Sequence, residues 1–206
     1  MKQLFANLAL FIVFCIVFSG LSACTGTQSN IANNSSAKPT TNANAQTNDG
    51  KTSAYPLLGT GLADAELEML DGTKTKISDR KGKVVLVNIW GTWCGPCRAE
   101  MPFLIAMQDQ YRDRGLEIMG LNIGDGSGTP ESVEAIKKFV EQMKLNYTIV
   151  RSPNAATAQF YAVTKQQVVP QTLLIDREGH LRGVFIGGGQ SISESIKTTL
   201  EKTMAE

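Results

Sequence analysis

Residues 93–97 read Trp93-Cys94-Gly95-Pro96-Cys97, and they constrain this chain more than any other segment. Two thiols stand three positions apart, directly after an apolar run from Val84 to Trp90 that reads as a buried strand. The residues beyond them read as a helix. A Cys-x-x-Cys at a strand-to-helix turn can close and open a disulfide with little backbone movement, which suits transfer of two electrons and two protons between protein thiols. A purely structural disulfide is the alternative. It would close only a two-residue loop, which restrains little entropy of the unfolded chain.

The other cysteines bear on this reading. The chain has four: Cys15, Cys24, Cys94 and Cys97. Residues 1–23 combine one early charge, Lys2, with an apolar stretch from Leu4 to Phe18 and small residues before Cys24, the pattern of a secretory signal. Leu21-Ser22-Ala23-Cys24 resembles a bacterial lipobox, which implies cleavage before Cys24 and a diacylglycerol on its thiol. An uncleaved membrane anchor is the alternative, since the 20 residues from Leu4 to Ala23 are long enough to span a bilayer. Either way the protein is expected on a membrane, facing the periplasm or cell exterior. With a lipoprotein signal removed, Cys94 and Cys97 are the only free thiols expected in the folded part. Two cysteines alone do not make a structural zinc site, and the single histidine, His180, reads as a surface residue of a turn. No metal and no cofactor is expected beyond the redox-active Cys94–Cys97 pair.

Loss of Lys2 with the signal takes the 20 basic residues to 19, matching the 19 acidic ones. No basic patch points to nucleic acid. Residues 24–54 follow as the lipidated Cys24 and an Asn/Thr/Ser/Ala-rich tether with too little apolar surface to fold. Such a coil of roughly 30 residues spans about 30 Å end to end.

Residues 55–206 read as one domain. A hairpin is expected from Glu66–Leu70, the turn at Asp71-Gly72, and Lys74–Ile77. Lys83–Trp90 is the central strand, and Pro96–Arg114 a helix kinked at Pro102. Leu116–Ile123 is a second apolar strand and Gly124–Gly128 a loop. Thr129-Pro130-Glu131-Ser132 reads as a capped helix start with Pro in the first turn, the helix running to Lys144. Tyr147–Val150 is a short strand, Asn154–Tyr161 a short helix. Gln171–Ile175 and Leu181–Ile186 are two strands joined at Arg177-Glu178-Gly179, and Ser191–Met204 is a closing helix. The Gly187-Gly188-Gly189 run lacks phosphate-loop spacing and reads as a turn. Strands alternating with helices and ending in a hairpin indicate an α/β domain with a central mixed sheet flanked by helices.

The Cys motif after a strand, Val169-Pro170 before a late strand, and Leu174-Ile175-Asp176 with Gly179 following resemble the thioredoxin fold. The N-terminal hairpin, the inserted helix and strand between Thr129 and Val150, and Glu100 three residues past the second Cys resemble the membrane-attached TlpA/ResA-like thiol-disulfide oxidoreductases. The resemblance covers about Leu57 to Gly189. It implies that Pro170 is cis and faces the Cys pair, with the Val169 backbone pairing an incoming peptide in strand fashion. Cys94, at the helix N-terminus, is the expected nucleophile, because unpaired N–H groups and the helix dipole favour a thiolate. Cys97, one turn in and less exposed, is expected to resolve the mixed disulfide. Thioredoxins carry a buried Asp six residues before the first Cys. Here that residue is Asn88, which cannot take a proton, so Glu100 is the expected proton carrier, on the same helix face as Cys97. A solvated surface Glu is the alternative. Trp90 reads as core; Trp93 as a shield of the Cys pair that contacts partners; Gly95 and Pro96 set the intervening turn.

The Gly-Pro dipeptide matches thioredoxin, with a potential of about −270 mV, against about −120 mV for DsbA-type oxidants. A reductase of exported proteins is therefore expected, acting on protein thiols and disulfides that include the haem site of apocytochrome c. The resemblance implies a membrane electron donor of the DsbD/CcdA type. A monomer is expected. An oxidase or isomerase, and a non-catalytic binding component of a maturation complex, are the alternatives. The Pro-x-x-x-Thr-x-x-Cys setting of a peroxidatic Cys is not present.

Overall fold

A computed structural model describes residues 53–206. The expected signal peptide, the lipidation site Cys24 and all but the last two residues of the tether lie outside the described residues. The elements are α1 (Thr60–Ala63), β1 (Leu67–Met69), β2 (Lys74–Thr75), β3 (Val84–Trp90), α2 (Gly95–Tyr111), β4 (Leu116–Asn122), α3 (Val133–Met143), β5 (Thr148–Arg151), α4 (Asn154–Thr164), β6 (Gln171–Ile175), β7 (Leu181–Ile186) and α5 (Gln190–Met204). The strands form one mixed sheet of seven in the order β2-β1-β5-β4-β3-β6-β7. β3 pairs in parallel with β4, and β4 with β5. β3–β6, β6–β7, β1–β5 and β1–β2 are antiparallel.

All seven residues of β3 are buried, because the strand is central and both sheet faces are covered. Its side chains alternate between two cores. Val84, Leu86 and Trp90 pack with Leu104 of α2, Ile136 of α3 and Ile196 of α5. Val85, Val87 and Ile89 pack with Leu62 of α1 and Phe160 of α4. Trp90 is core as expected and stacks on Phe139 of α3 at 5.2 Å between ring centroids.

Several boundaries differ from the sequence expectation, each for a local reason. The hairpin strands are shorter. Asp71 Oδ1 accepts from the Thr73 amide and hydroxyl, and Asp79 accepts from the Lys76 amide, so Ile77 begins a 3₁₀ turn instead of continuing β2. Helix α2 runs through Pro102 without a break and passes into a 3₁₀ turn over Arg112–Arg114, closed by Gly115 at φ +94°. Helix α3 does not start at Pro130. Its cap is Ser132, whose Oγ accepts from the Ala135 amide at 3.1 Å. Pro130 lies before the helix, and Glu131 is turned toward the active site. Helix α4 runs one turn further than expected, to Thr164, and ends on Lys165 in the left-handed region.

This topology gathers one site. The C-terminal ends of β3 and β4 deliver residues 91–94 and Asn122. The antiparallel β6 brings Pro170 to the same edge, and the turn after β7 brings Gly187–Gly189.

Candidate active site

Cys94 and Cys97 form a disulfide, with an S–S distance of 1.97 Å and Cα atoms 5.3 Å apart. Cys94 is the N-cap of α2, and its Sγ accepts the Cys97 backbone N–H at 3.2 Å. An amide of the first helical turn therefore points at the sulfur expected to carry charge, which favours its thiolate once the disulfide opens. Gly95 and Pro96 fill the first two helical positions, where the missing Pro N–H has no partner to lose. Cys97 is the less exposed thiol by a narrow margin in this disulfide state, 2% against 3% for Cys94. What separates the two sulfurs is their surroundings.

Beside Cys94 the surface is open. Trp93 is 48% exposed, and its Nε1 donates to the Gly124 carbonyl at 2.8 Å. A Cβ on Gly91 would lie 2.5 Å from that same Nε1, so the indole folds back over a residue that must lack a side chain. The Val169–Pro170 peptide is cis, as the resemblance implied. The three glycines after β7 do more than turn the chain. Gly187 N–H donates to the Pro170 carbonyl at 2.9 Å, and a Cβ on Gly188 would stand 3.4 Å from Pro170 and 3.5 Å from the Pro96 carbonyl. A groove of about 1060 Å³ runs from this edge, lined by Trp93, Ile123, Asp125, Tyr161, Val168 and Val169 among others.

Glu131, read from the sequence only as part of a helix start, closes the site from below Trp93. Its carboxylate accepts from the Thr92 amide (3.2 Å), the Thr92 hydroxyl (2.8 Å) and Asn122 Nδ2 (3.0 Å). Asn122 Oδ1 in turn accepts from the Gly124 amide. Partners 39 residues apart in the chain leave no local sequence signal for this clasp.

Beside Cys97 the interior is buried and polar. Glu100, one turn along α2, is 3% exposed; it is not a solvated helix residue. Asn88 Nδ2 of β3 donates to its Oε2 at 3.3 Å and to Thr172 Oγ1 of β6 at 3.0 Å. Asn88, which stands where thioredoxins carry the buried Asp, and Glu100, the expected proton carrier, are thus one hydrogen-bonded pair. Burial pushes the Glu100 pKa from the usual 4.5 up to about 7, and the Asn88 hydrogen bond offsets only part of that rise. Oε1 of Glu100 is buried with no protein partner.

His180 is not isolated. It closes the β6–β7 hairpin with Nδ1 3.2 Å from Asp176 Oδ1, and ligand atoms of Asp176, Glu178 and His180 lie within 4.8 Å of one another. Arg182 reaches the other Asp176 oxygen at 3.3 Å, so this cluster is already charge-compensated.

The profile of the AhpC/TSA family matches residues 58–184. The chain is 33% identical over 144 residues to the thiol-disulfide oxidoreductase ResA of Geobacillus thermodenitrificans, an alignment covering 70% of this chain and 76% of that relative. It is 32% identical over 129 residues to ResA of Bacillus subtilis, covering 63% and 67%. A DsbE-type thiol:disulfide interchange protein from Chlorobium tepidum superposes with a TM-score of 0.61 at 25% identity, covering 75% of this chain and 99% of that one. A secreted thiol-disulfide isomerase from Corynebacterium glutamicum gives 0.60 at 25%, covering 69% and 84%. The chain belongs to the AhpC/TSA family and has its thioredoxin-like fold. Within that class it is a thiol-disulfide oxidoreductase of the ResA/DsbE type.

Proposed function

We propose that this protein is an extracytoplasmic protein-disulfide reductase working through Cys94 and Cys97, and that Glu100 carries the proton of the resolving step. The observation that carries the reading is the buried Glu100 one helical turn behind Cys97, with its pKa raised into the range where a carboxyl exchanges protons with a thiol at neutral pH.

The cycle starts from the dithiol. The Cys94 thiolate, held by the amides at the start of α2, attacks one sulfur of a target disulfide. A mixed disulfide forms and the target's other sulfur leaves as a thiolate. Cys97 gives its proton to ionised Glu100 and attacks Cys94 Sγ. The Cys94–target bond breaks and the target's second sulfur also leaves as a thiolate. The two thiolates take up protons from solvent while Glu100 returns its own to solvent, so the target ends as a dithiol, reduced by two electrons and two protons. The enzyme is left in the disulfide state described above. Val169, ahead of cis-Pro170, offers backbone to an extended target, and exposed Trp93 covers the pair and packs on the partner. The reactive group is the Cys pair itself, and no cofactor enters the cycle.

Location, donor and target rest on the sequence. Residues 1–23 and Cys24 support a membrane-anchored lipoprotein, and among the described residues no helix is long and apolar enough to cross a membrane. Electrons then come from a membrane donor of the DsbD/CcdA type. Targets are exported proteins with exposed disulfides, including the Cys-x-x-Cys-His site of apocytochrome c. The Gly-Pro dipeptide supports the reducing direction. The deciding measurement is the reduction potential of the Cys94–Cys97 couple against glutathione. A value near that of thioredoxin, about −270 mV, is expected, and one above about −150 mV makes the protein an oxidase.

A further inference from the structure

Three buried polar atoms in the helix-α2 core have no protein partner: Trp90 Nε1 on β3, Glu100 Oε1 on α2, and the hydroxyl of Tyr147 just before β5. The three residues are 0%, 3% and 8% exposed. Trp90 and Tyr147 close over Gly120 of β4, where a Cβ would lie 3.0 Å from Trp90 Nε1 and 3.1 Å from Tyr147 Cε2. Asn88, which donates to Glu100, is the β3 residue paired with Gly120 of β4, so Glu100 meets the sheet at the same place. Tyr147 is held protonated first by burial and then by the Glu100 charge.

The donor and acceptor types match a single guest. An indole N–H only donates, a carboxylate only accepts, and a phenol does both. A water accepts the Trp90 N–H, donates to Glu100 Oε1 and exchanges a hydrogen bond with Tyr147, which completes the two to four partners that a buried water takes. Leaving all three groups unpaired in one core is strongly disfavoured. Tyr147 also lines an outer cleft of about 380 Å³ with Leu70, Asp71, Lys137 and Val140. It therefore borders both the buried carboxylate and solvent.

We propose that Trp90, Glu100 and Tyr147 bind one water between them, and that this water carries protons between Glu100 and the cleft outside Tyr147. When Cys97 has given its proton to Glu100, the carboxyl passes it to the water, and the water releases another through the Tyr147 hydroxyl. One proton leaves and no electron moves. Glu100 is met by the non-titrating Asn88 of β3, which also holds Thr172 of β6, and its charge is felt by Tyr147; Cys97 lies one turn earlier on its own helix. Asp71 and Lys137 lie beyond Tyr147 in the cleft. The relay rests on the proposed exchange of a proton between Glu100 and Cys97; the water site does not.

The test is Tyr147→Phe in the full chain, which keeps the ring and removes only the hydroxyl. Glu100 is titrated by carboxyl ¹³C NMR, assigned with Glu100→Gln. Losing the water-borne donor destabilises the ionised carboxylate, so the Glu100 midpoint is expected to rise by roughly half a pH unit or more. The rising limb of the reductase pH profile is expected to move by the same amount. Trp90→Phe removes the other donor and is expected to shift the midpoint in the same direction. A packing role alone lowers stability or rate without moving either midpoint. If both variants leave the Glu100 midpoint in place, the water site is wrong, whatever Glu100 does. If Glu100→Gln reduces targets at full speed, the catalytic role of Glu100 falls and the relay with it, while the titration still decides the water site.

Discussion

The two sides of one disulfide are built on opposite principles. On the Cys94 side the surface is exposed, yet its polar groups are satisfied. The Trp93 indole has the Gly124 carbonyl, and the Glu131 carboxylate has three donors. On the Cys97 side everything is buried, yet Glu100 holds a carboxylate oxygen with no protein partner. Folded proteins ordinarily satisfy buried polar groups most strictly. The inversion separates two tasks. The open side must present a fixed shape to other proteins, so it is latched. On the proposed function the closed side moves one proton, and a carboxyl whose charged form is only partly supported suits that task. The exceptions to consistent packing fall where the chemistry is.

The largest effects should separate the two sulfurs. Cys94→Ser is expected to lower reduction of a disulfide substrate by at least about a thousandfold, since the thiol at the helix N-terminus that makes the first attack is gone. Cys97→Ser should still attack and then stall, accumulating a covalent enzyme–target species visible by mass spectrometry. If Cys97→Ser turns over normally, or if Cys94→Ser is the variant that traps targets, the assignment of roles is wrong.

Glu100→Gln addresses the closed side alone. Reductase turnover at pH 7 should fall by about 10²-fold, the lower end of general acid–base effects, with mixed-disulfide formation little changed. Stability should move the other way. In the folded protein Glu100 binds its proton up to about pH 7, whereas in the unfolded chain it does so only up to the usual 4.5. Between these values the folded state holds more protons, so the Glu100 contribution to stability declines as pH rises through that window. The shift amounts to about 3 kcal/mol at most. Oxidised Glu100→Gln should therefore match the parent near pH 4 in urea unfolding and exceed it at pH 8. Equal differences at both pH values would mean that the carboxyl is not held neutral by burial.

How much of this was legible in the sequence follows from the range of the interactions. The central strand, the Cys-capped helix and the strand after Pro170 announce themselves through apolar runs, local caps and a single proline. The two strands and the helix start came out within a residue, while the last three residues expected in the helix form a 3₁₀ turn. Glu100 was legible because Cys97 and Glu100 lie on one helix, where spacing fixes the shared face. Glu131, Thr172 and Tyr147 were not, because each reaches the site through partners far along the chain. The misplaced start of α3 has the same cause. Thr129-Pro130 looks like a helix start locally, but Glu131 is pulled out to Thr92 and Asn122, and the cap falls to Ser132.

Two smaller effects probe the open side. Trp93→Ala should raise the KM for protein substrates by about tenfold, as for an exposed aromatic anchor, while small disulfides react at nearly the parent rate. An equal loss on both substrate types would place Trp93 in the chemistry rather than in recognition.

Glu131→Ala is the finest test, because it loosens the open side without touching the closed one. It removes the acceptor of three hydrogen bonds at a half-buried position, and water can reach some of the freed donors, so stability should fall by only about 1 kcal/mol. Thr92 precedes Trp93 directly, and Asn122 fixes the Gly124 amide, whose residue also supplies the carbonyl that anchors the indole. Freed from both, Trp93 should show red-shifted emission, and its response to reduction of the disulfide should weaken. Glu131→Gln retains an acceptor for Thr92 and should restore most of the parent emission. The Glu100 midpoint should stay at about 7 in both variants. A Glu100 midpoint that moves with Glu131 would mean that the two sides of the disulfide are one coupled network, and the division of labour between them would have to be given up.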